Sequence, residues 1–505
     1  MYKIYSSCGM KQAEKNANEG GYGYYEMMLT AGKAVASALP VTRKDRVLIV
    51  CGGGNNGGDG YVIAQQLLQR KIPVKVYEVA PPKTEETLRA QTEYQGEYES
   101  TLATGEYTAL VECFMGTGFS GEPKGESKAL LQKLNEMGKQ IPLYAVDIPA
   151  GLNADTGEGK FAVKAKQTFA VEGFKFGHFL GDGLDVCGKL TVLPIEIGGE
   201  AQAFLADENL LKQAFPPLKR NMHKGTHGRA TLLAGSKAYT GAARLAAGAT
   251  ASLLTGAGYA ELVSVPEVIA LAKNCLPELI YTSAPSWGGK LCFRKKFYAE
   301  ICARSRVIAV GAGLGVSKSI YRVLCYLLRN FKGTLIIDAD GLNSLAKYGV
   351  EVLKTATAKV VLTPHPAEFS RLSGKPVSEI LASPCESLTA FAKEYGVTCL
   401  LKGASTLISD GSATYLSAAG SSAMAKGGSG DVLLGVALGI FARESELTLT
   451  SVELLSVACY LTGRAGELAT QRETEYTATP TDTVNCLKAV IKEITQGESI
   501  CDLKN

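Results

Sequence analysis

The sequence predicts an α/β protein with two doubly wound domains. Short apolar segments alternate with helical segments along most of the 505 residues, an order that is typical of parallel sheets covered by helices. The alternation weakens after Ile197 and restarts near Ala230. A chain of this length exceeds one ordinary hydrophobic core. We therefore expect a domain boundary near residue 215, with domains over residues 1–215 and 216–505.

The first domain is predicted from short runs of apolar and β-branched residues. Runs of this length are typical of buried parallel strands. The predicted strands are Arg46–Val50, Val74–Tyr77, Ala109–Cys113 and Leu143–Asp147. Helices are predicted over residues 10–39, Tyr61–Arg70 and Ser127–Met137.

The second domain shows the same alternation but shares no repeat period with the first, so the two are treated as unrelated. Its predicted strands are Ala230–Ala234, Val307–Val310, Leu335–Asp338, Val360–Leu362 and Thr398–Leu401. Its predicted helices are Ala242–Leu254, Val432–Phe441 and Glu453–Leu468.

Composition excludes several classes of protein. The net charge of +4, without a long basic run, does not fit a protein that binds nucleic acid. Thirteen cysteines without a CxxC pair indicate reduced thiols and argue against a zinc site. The first residues contain no apolar signal region, and no segment reaches the ~18 apolar residues of a membrane span. We therefore expect a cytoplasmic protein with neither a nucleic-acid nor a membrane partner.

Three loops follow predicted strands of the first domain, at Cys51–Gly60, Glu112–Gly121 and Asp147–Asn153. In open α/β sheets, ligands bind beyond the carboxyl ends of the strands, so we expect these loops to converge on one crevice. The first loop precedes a helix, whose free N–H groups favour an anion. The alternatives are a tight turn for the first loop, a cap for Asp147 and a strand-end charge facing water for Glu112.

The GGGNNGGDG, GTG and DIP segments of these loops resemble the N-terminal domain of bifunctional NAD(P)HX repair enzymes, which epimerise hydrated NADH or NADPH. The resemblance implies a Rossmann-like three-layer sandwich with Asp147 as the acid/base. It also implies that the two glycine-rich loops contact the substrate. The implied substrate contacts are Asn55, Asn56, Gly57, Gly58, Asp59, Gly116, Thr117, Gly118, Phe119, Ser120, Gly121 and Glu122.

The same resemblance implies a K⁺ site at Asn56, Glu112 and Ala150. The chain departs from the family there, because the family usually has Asp at the position of Glu112 and Ser at the position of Ala150. Glutamate still offers a carboxylate, one methylene further out. Alanine has no hydroxyl, so a ligand at that position must be its backbone carbonyl.

The second domain contains a glycine loop, Gly427–Asp431, that precedes an apolar helix. Backbone N–H groups at such a helix start can hold a developing phosphate charge. Asp431 can take a proton from an attacking hydroxyl. An ordinary aspartate, with a pKa of about 3.9, is a weak base, but the loose transition state of phosphoryl transfer tolerates this. The alternative for Asp431 is a helix cap.

Further loops follow other strands of the second domain, at Gly235–Ala242, Gly311–Gly315, Asp338–Asn343 and Lys402–Thr406. The first of them precedes a helix and predicts another ligand loop, with a cap by Thr240 as the alternative. His365 stands between two prolines, which fix the direction of its ring and favour a functional over a structural histidine.

The GGSGD loop with its preceding KGxxT segment resembles ribokinase-type kinases. The extended set, HKGTHG, DADGLN, TPHPAEF, KGASTLI and AMAKGGSGDVL, resembles the nucleotide-dependent NAD(P)HX dehydratases and implies a ribokinase-like three-layer sandwich. The implied nucleotide contacts are Lys402, Gly403, Ala404, Ser405, Thr406, Gly427, Gly428, Ser429 and Gly430. The implied substrate contacts are Ala242, Gly313, His365 and the catalytic Asp431. Ala367 and Lys426 replace a usual Gly and Thr.

The two resemblances cover nearly the whole chain in the order of the fused bacterial enzymes. They imply an epimerase for (R)- and (S)-NAD(P)HX joined to a dehydratase that converts (S)-NAD(P)HX to NAD(P)H, releasing AMP and phosphate. The cofactors implied are ADP as phosphoryl donor, Mg²⁺ and K⁺. ADP is favoured over ATP because the fused architecture is bacterial in type, and the substrates are NADHX and NADPHX without an indicated preference. We expect a homo-oligomer.

Two alternatives remain at this stage. A ribokinase-like kinase of a small alcohol, such as a vitamin precursor, would use the same phosphate loop. The first domain would then be a non-catalytic ligand-binding module, since similar domains serve as scaffolds in RNA-related proteins. The set Asn55, Asn56, Asp59 and Asp147 argues against a non-catalytic module.

Overall fold

The computed structural model describes residues 1–103, 105–245, 253–274 and 276–496. The chain forms two compact units, the first over Tyr2–Ala203 and the second from Phe204 onward. The helix Glu208–Ala214 lies in the second unit, where it packs against the helices Ser451–Arg472 and Pro480–Gln496. The two compact units therefore divide before residue 215, and the division of activities at that residue stays a prediction.

The first unit contains a parallel sheet with helices on both faces. Its strands, in sheet order, are Glu97–Tyr98, Val74–Glu78, Val47–Cys51, Ala109–Cys113, Leu143–Val146, Gln167–Val171 and Lys189–Leu193. A further parallel pair joins Tyr2–Tyr5 to Phe174–Lys175. The helices are Ser7–Glu19, Tyr24–Ala38, Asn55–Gln69, Glu85–Glu93, Gly125–Gly138 and Gly183–Val186, with a 3₁₀ turn at Phe176–His178.

Alternate residues of the central strand face two different cores. Val47, Ile49 and Cys51 belong to one hydrophobic cluster, whereas Leu48 and Val50 belong to another. All five are fully buried. A strand buried on both faces must read as a continuous apolar run, which is the pattern that predicted it.

Chain order changes direction at this central strand. The next two strands of the sheet are added on one side of Val47–Cys51, while Ala109–Cys113 and its successors are added on the other. A crevice at such a switch point is the usual ligand site of an open α/β sheet. The loops that follow these two strands are the two predicted glycine-rich loops.

The second unit contains a larger sheet. Its strands, in sheet order, are Ile280–Ser283, Tyr259–Ser264, Arg229–Leu233, Val307–Val310, Thr334–Ile337, Lys359–Leu362, Thr398–Leu401, Thr406–Ser409, Thr414–Ser417 and Ala203–Leu205. Thr406–Ser409 is antiparallel to both neighbours, and the other described pairs are parallel. The switch point lies between Arg229–Leu233 and Val307–Val310.

Helices cover this sheet as well. They are Glu208–Ala214, Thr240–Leu245, Pro266–Ala272, Lys295–Arg304, Lys318–Asn330, Ala339–Tyr348, Pro366–Ser373, Val377–Ala382, Pro384–Tyr395, Ser429–Ala442, Ser451–Arg472 and Pro480–Gln496. Shorter 3₁₀ segments occur at Val350–Thr355, Ser422–Met424 and Glu444–Glu446. A small antiparallel hairpin pairs Ser286–Trp287 with Lys290–Leu291, and its Trp287 side chain is 84% exposed.

The doubly wound α/β fold class is confirmed, and several boundaries differ. The predicted helix over 10–39 is two helices, because the chain turns at Gly20 and Gly21. The predicted helix Ala242–Leu254 is described as Thr240–Leu245, and residues 246–252 lie outside the described part. Among the described helices, none has the length and apolar character needed to cross a membrane.

The helix after the first glycine loop begins earlier than predicted, at Asn55 and not at Tyr61. Asn and Gly are weak helix formers, so the sequence favoured a loop there. Tertiary packing overrides this preference. The helix start lies so close to the preceding turn that a Cβ at Gly57 would overlap the carbonyl oxygen of Gly52.

We expect Gly57→Ala to destabilise the first unit by about 1–3 kcal/mol, the usual cost of overpacking. Amide hydrogen exchange across Val47–Gln69 measures this local stability. Gly118→Ala is the matched control in the neighbouring loop, because a Cβ there meets nothing within 4 Å, and its effect should stay within about 0.5 kcal/mol. Equal protection in both variants would contradict the close approach.

Candidate active sites

Asn56 joins the two glycine-rich loops of the first unit. Its Nδ2 donates a hydrogen bond to the carbonyl of Met115 at 3.0 Å. Its Oδ1 is buried and has no hydrogen-bond partner among the described residues. A buried oxygen without a partner is costly, so this atom is suited to a ligand or a cation in the crevice.

Glu112 is fully buried at the end of its strand. Its carboxylate accepts hydrogen bonds from the backbone N–H of Ala150 at 2.8 Å and of Phe114 at 3.2 Å. Burial raises the pKa of Glu112 to about 8, although the two hydrogen bonds oppose the shift. The alternative of a charge facing water is therefore wrong. A buried carboxyl of this kind is stabilised in its ionised form by a bound cation.

Ala150 contributes less than expected to a cation site. Its N–H is used by Glu112, and its carbonyl accepts a hydrogen bond from the N–H of Val163 at 2.9 Å. A carbonyl oxygen has two lone pairs, so one remains. The structure thus offers Asn56 Oδ1 and the Glu112 carboxylate as the stronger oxygen donors, with the Ala150 carbonyl as a weaker one.

Asp147 is held in a strained conformation by a buried ion pair. Its φ of 66° lies in the left-handed region, which costs energy for a residue other than glycine. Its carboxylate pairs with the ammonium of Lys175, which is 1% exposed, while the Asp147 side chain is 17% exposed. Lys175 also donates to the carbonyl oxygens of Val171 at 2.9 Å and Gly173 at 3.1 Å. Asp147 is therefore a fixed, partly accessible carboxylate.

His178 fixes the backbone around this ion pair. Burial lowers the pKa of His178 to about 4, so the ring is neutral. Its Nδ1 accepts the N–H of Lys175 at 3.1 Å, and Nε2 lies 2.9 Å from the carbonyl oxygen of Asp147. Because a neutral ring has one donor nitrogen, Nε2 carries the proton.

Two further carboxyls interact with Asp147 and Lys175. Burial and the negative charge of Asp147 raise the pKa values of both Asp59 and Glu14, while the Lys175 ammonium lowers them. One buried ammonium thus faces three acidic groups. The charge of Lys175 therefore acts on Asp59 and Glu14 as well as on its ion-pair partner Asp147.

Sequence reasoning missed Lys175, His178 and Glu14. Lys175 stands between Phe174 and Phe176 in an apolar segment, and a lysine in such surroundings is a usable signal of a buried charge. Glu14 occupies an amphipathic helix with many polar residues, so nothing in the sequence distinguishes it.

The catalytic candidates of the second unit meet at the start of the helix Ser429–Ala442. Asp431 lies in the first turn of this helix. Lys402 Nζ forms an ion pair with Asp338 Oδ1 at 2.7 Å, and a Cβ at Gly430 would lie 3.4 Å from the same Nζ. The structure therefore brings together the predicted Lys402 loop, the phosphate loop and Asp338.

Burial and the negative charge of Asp338 raise the pKa of Asp431 to about 6, with Lys402 acting in the opposite direction. This corrects the expectation of an ordinary aspartate. Burial makes Asp431 a better base at neutral pH, where it is still mostly ionised.

The predicted substrate loops of the second unit also converge. Ser236 Oγ donates to the carbonyl of Gly313 at 2.8 Å, and a Cβ at Gly313 would lie 2.6 Å from Cβ of Ala242. The N–H of Gly315 donates to Asp340 Oδ2 at 2.8 Å. Both loops follow the strands at the switch point of the sheet.

His365 is oriented by the helix that it caps. Its Nδ1 accepts the N–H groups of Ala367 at 3.2 Å and Glu368 at 3.4 Å, and its side chain is 48% exposed. The expected structural role as a cap is therefore present, and the substrate contact of His365 stays a prediction, with Nε2 lying 3.5 Å from Glu368 Oε2. The neighbouring carbonyl of Pro364 accepts the N–H of Lys402 at 2.9 Å.

The remaining loop residues have identifiable positions. Ser405 Oγ is buried without a hydrogen-bond partner among the described residues, and Thr406 begins the strand Thr406–Ser409. Lys426, which replaces the Thr usual in the family that the sequence resembles, has a structural role. Its Nζ donates to the carbonyl oxygens of Tyr476 at 2.8 Å and Ala478 at 2.6 Å, which ties the segment before the phosphate loop to a neighbouring loop.

We expect the Asp431 carboxyl to titrate near pH 6. NMR of protein with ¹³C-labelled aspartate measures this, and the signal is assigned by its loss in Asp431→Asn. Asp338→Asn should lower the midpoint, because it removes a neighbouring negative charge. A midpoint below about 4, the ordinary value for aspartate, would contradict the burial of this group.

Both halves of the chain match known families. Residues 230–488 match the NAD(P)H-hydrate dehydratase family, and residues 24–177 match the family described as YjeF-related protein N-terminus. A bifunctional NAD(P)H-hydrate repair enzyme of Thermofilum pendens is 31% identical over 95% of this chain and 95% of its own length. A bifunctional NAD(P)H-hydrate repair enzyme of Escherichia coli is 30% identical over 97% and 94%.

A solved structure is similar to the second unit. It is the ADP/ATP-dependent NAD(P)H-hydrate dehydratase of Bacillus subtilis, co-crystallised with ATP and Mg²⁺. Its sequence is 31% identical, and the match has a TM-score of 0.50 over 58% of this chain and 99% of that chain.

Proposed function

We infer the function of this chain from its family, since it belongs to the bifunctional NAD(P)H-hydrate repair enzymes. It epimerises (R)- and (S)-NAD(P)HX and dehydrates (S)-NAD(P)HX to NAD(P)H with a nucleotide as co-substrate. We propose that the first unit is the epimerase and the second the dehydratase, with the activities divided near residue 215. The observation that carries this assignment is the presence of an independent acid/base cluster beside the carboxyl ends of the strands in each unit, at Asp147 in the first and at Asp338, Lys402 and Asp431 in the second.

In the first unit, Asp147 is proposed to exchange protons with the hydrated nicotinamide. The buried Lys175 ammonium holds the Asp147 carboxylate in place, and burial raises the pKa values of the nearby Asp59 and Glu14 carboxyls. Asn55–Asp59 and Gly116–Glu122 would bind the substrate. The helix start at Asn55 offers backbone N–H groups that favour a phosphate of the nucleotide.

In the second unit, Asp431 is proposed to take the proton of the ring hydroxyl as that oxygen attacks the terminal phosphate of ADP. The attack releases AMP and forms a phosphate ester on the ring. The ester bond then breaks, phosphate leaves, and a ring carbon loses a proton, which restores the dihydronicotinamide double bond. The N–H groups of Gly427–Gly430 and the Lys402 ammonium would stabilise the transferring phosphoryl group.

The nucleotide contacts are proposed at Lys402–Thr406 and Gly427–Gly430, and the substrate contacts at Ala242, Gly313 and His365. Bound Mg²⁺ would neutralise charge on the nucleotide phosphates, and the Bacillus subtilis dehydratase was crystallised with ATP and Mg²⁺. ADP as the donor for this chain is a proposal. The free thiols of the described cysteines support our proposal of a cytoplasmic enzyme, and we expect it to be a homo-oligomer.

A K⁺ ion is proposed in the first unit, held by Asn56 Oδ1 and the Glu112 carboxylate. The residues fit such an ion, because hard cations prefer oxygen ligands and both groups are buried without a cationic partner among the described contacts. The Ala150 carbonyl can contribute its remaining lone pair. When bound, the ion would supply the positive charge that the buried Glu112 lacks.

Asp431→Asn should abolish dehydration and leave epimerisation intact, while Asp147→Asn should do the reverse. Loss of a general acid/base costs about 10²–10⁴-fold in rate. Recovery of the dihydronicotinamide absorbance with ADP measures dehydration, and chromatography of the two epimers measures epimerisation. Lys175→Met should lower kcat for epimerisation with less effect on KM. Loss of both activities in Asp431→Asn, or a stable phosphate ester in place of phosphate, would overturn the assignment.

Epimerisation should require K⁺, and Glu112→Gln should raise the K⁺ concentration needed at least tenfold. The reason is that a charge-assisted contact contributes roughly 1.5–3 kcal/mol. Ala150→Ser, which supplies the hydroxyl usual in the family, should lower the K⁺ requirement. The measurement is the epimerisation rate against K⁺ at constant ionic strength. A rate indifferent to K⁺ would refute the site.

A further inference from the structure

A basic cavity lies at the edge of the second sheet that is remote from the catalytic loops. Its volume is about 480 Å³, within the ~300–1,000 Å³ range of small-molecule sites. It is lined by residues that immediately precede or begin strands of the parallel sheet. They include Gly228, Arg229, Tyr259, Arg304, Arg306 and Gly333.

The catalytic loops follow the carboxyl ends of the same strands, so the cavity faces the opposite edge. Arg229 and Tyr259 begin their strands, Arg306 directly precedes Val307–Val310, and Gly333 directly precedes Thr334–Ile337. A strand of four or five residues separates the edges by roughly 15 Å. A ligand in this cavity is therefore distinct from the nucleotide and the substrate of the catalytic edge.

The cavity has a surplus of positive charge. Arg304 Nε lies 3.1 Å from Oε2 of Glu261, and Arg229 Nη1 lies 3.7 Å from the same oxygen. The buried Glu261 carboxylate is thus shared by two guanidinium groups and can balance the charge of only one. Arg306 Nη1 donates to the carbonyl of Thr226 at 2.9 Å and to Ser445 Oγ at 3.0 Å, both of which are neutral groups.

The carboxylates next to Ser445 do not remove this surplus. Glu446 lies 3.7 Å from Nε of Arg443 and 3.1 Å from Nδ1 of His227, and Glu444 pairs with Lys359 at 2.7 Å. Lys224 adds a further ammonium, whose Nζ lies 5.0 Å from the centre of the Tyr259 ring. Within the described ranges, neither Lys224 nor Arg306 forms an ion pair with a carboxylate.

The backbone at Gly228 shapes this cavity, which is therefore more than a gap between loops. Gly228 has a φ of 75°, and a Cβ there would lie 2.8 Å from Cδ of Arg306 and 2.6 Å from the carbonyl oxygen of Ala442. Only glycine adopts this backbone while leaving room for the arginine. Gly228 closes the HKGTHG segment, which directly precedes the strand Arg229–Leu233 at the edge opposite the catalytic loops.

We propose that this cavity binds a small phosphorylated compound. Guanidinium groups held in place by neighbouring acceptors match phosphate oxygens with paired hydrogen bonds. The volume exceeds that of a single phosphate group, so the ligand carries more than one phosphate or an organic part. Arg306 is its principal contact, because among the arginines that line the cavity it is the one without a carboxylate partner in the described ranges.

Inorganic pyrophosphate is the probe, titrated calorimetrically into the full-length chain in metal-free buffer of low ionic strength. Wild-type protein should show a saturable site that Lys402→Gln, at the catalytic edge, retains. Arg306→Gln should weaken that site at least tenfold, and Arg306→Lys should weaken it less, because the charge is kept. Arg294→Gln removes an equal charge from an exposed position and should leave the affinity within twofold.

Retained dehydration activity in the arginine variants shows that they fold. Loss of all pyrophosphate binding in Lys402→Gln would overturn the proposal, because the probe would then occupy only the catalytic edge. Equal weakening by Arg294→Gln and Arg306→Gln would also overturn it, since binding would then reflect net charge alone. Neither outcome bears on the repair activity, which is measured separately.

Discussion

The common direction of the strands is the constraint on which both sites depend. In each unit, parallel pairing brings the carboxyl ends of strands that are distant in sequence to one edge of the sheet. The reversal of chain order at Val47–Cys51 and at Arg229–Leu233 then opens a crevice between the following loops. Asn56 and Met115 meet in the first unit for this reason, and Ala242 and Gly313 in the second. Each site consists of a few side chains, but the pairing of strands across the whole sheet brings those side chains together.

Each unit uses a similar electrostatic arrangement, although the folds are unrelated. In each unit a buried or largely buried ammonium group pairs with one carboxylate. Lys175 pairs with Asp147, and Lys402 pairs with Asp338. A further carboxyl with a raised pKa lies nearby, Asp59 in the first unit and Asp431 in the second. Burying charges without a partner would be costly. The pair keeps the site charged, and burial raises the pKa of the additional carboxyl, which makes it a stronger base than an ordinary aspartate.

Sequence patterns predicted those elements of the protein whose structure follows from the composition of the segment itself. Buried strands such as Val47–Cys51 are visible as apolar runs, the loop after one such strand carries Asp147, and a glycine loop at a helix start marks Asp431. Thr406–Ser409 and Thr414–Ser417 were missed because short strands with polar residues lack such a run. The early helix at Asn55 was missed because packing overrides weak propensity. Lys175 and Glu14 join the site only through tertiary contacts, which no local pattern encodes.

The exposed hairpin of the second unit has a practical consequence for experiments on this chain. Trp287 is the only tryptophan in the sequence, and it lies on that hairpin beside Gly289, whose carbonyl accepts the N–H of Lys237 at 2.9 Å. Lys237 belongs to the loop that leads to Ala242. Intrinsic indole emission therefore originates in one unit alone, next to one substrate loop. The chain carries a built-in optical label for its second unit, and the first unit, which has no tryptophan, contributes no indole emission.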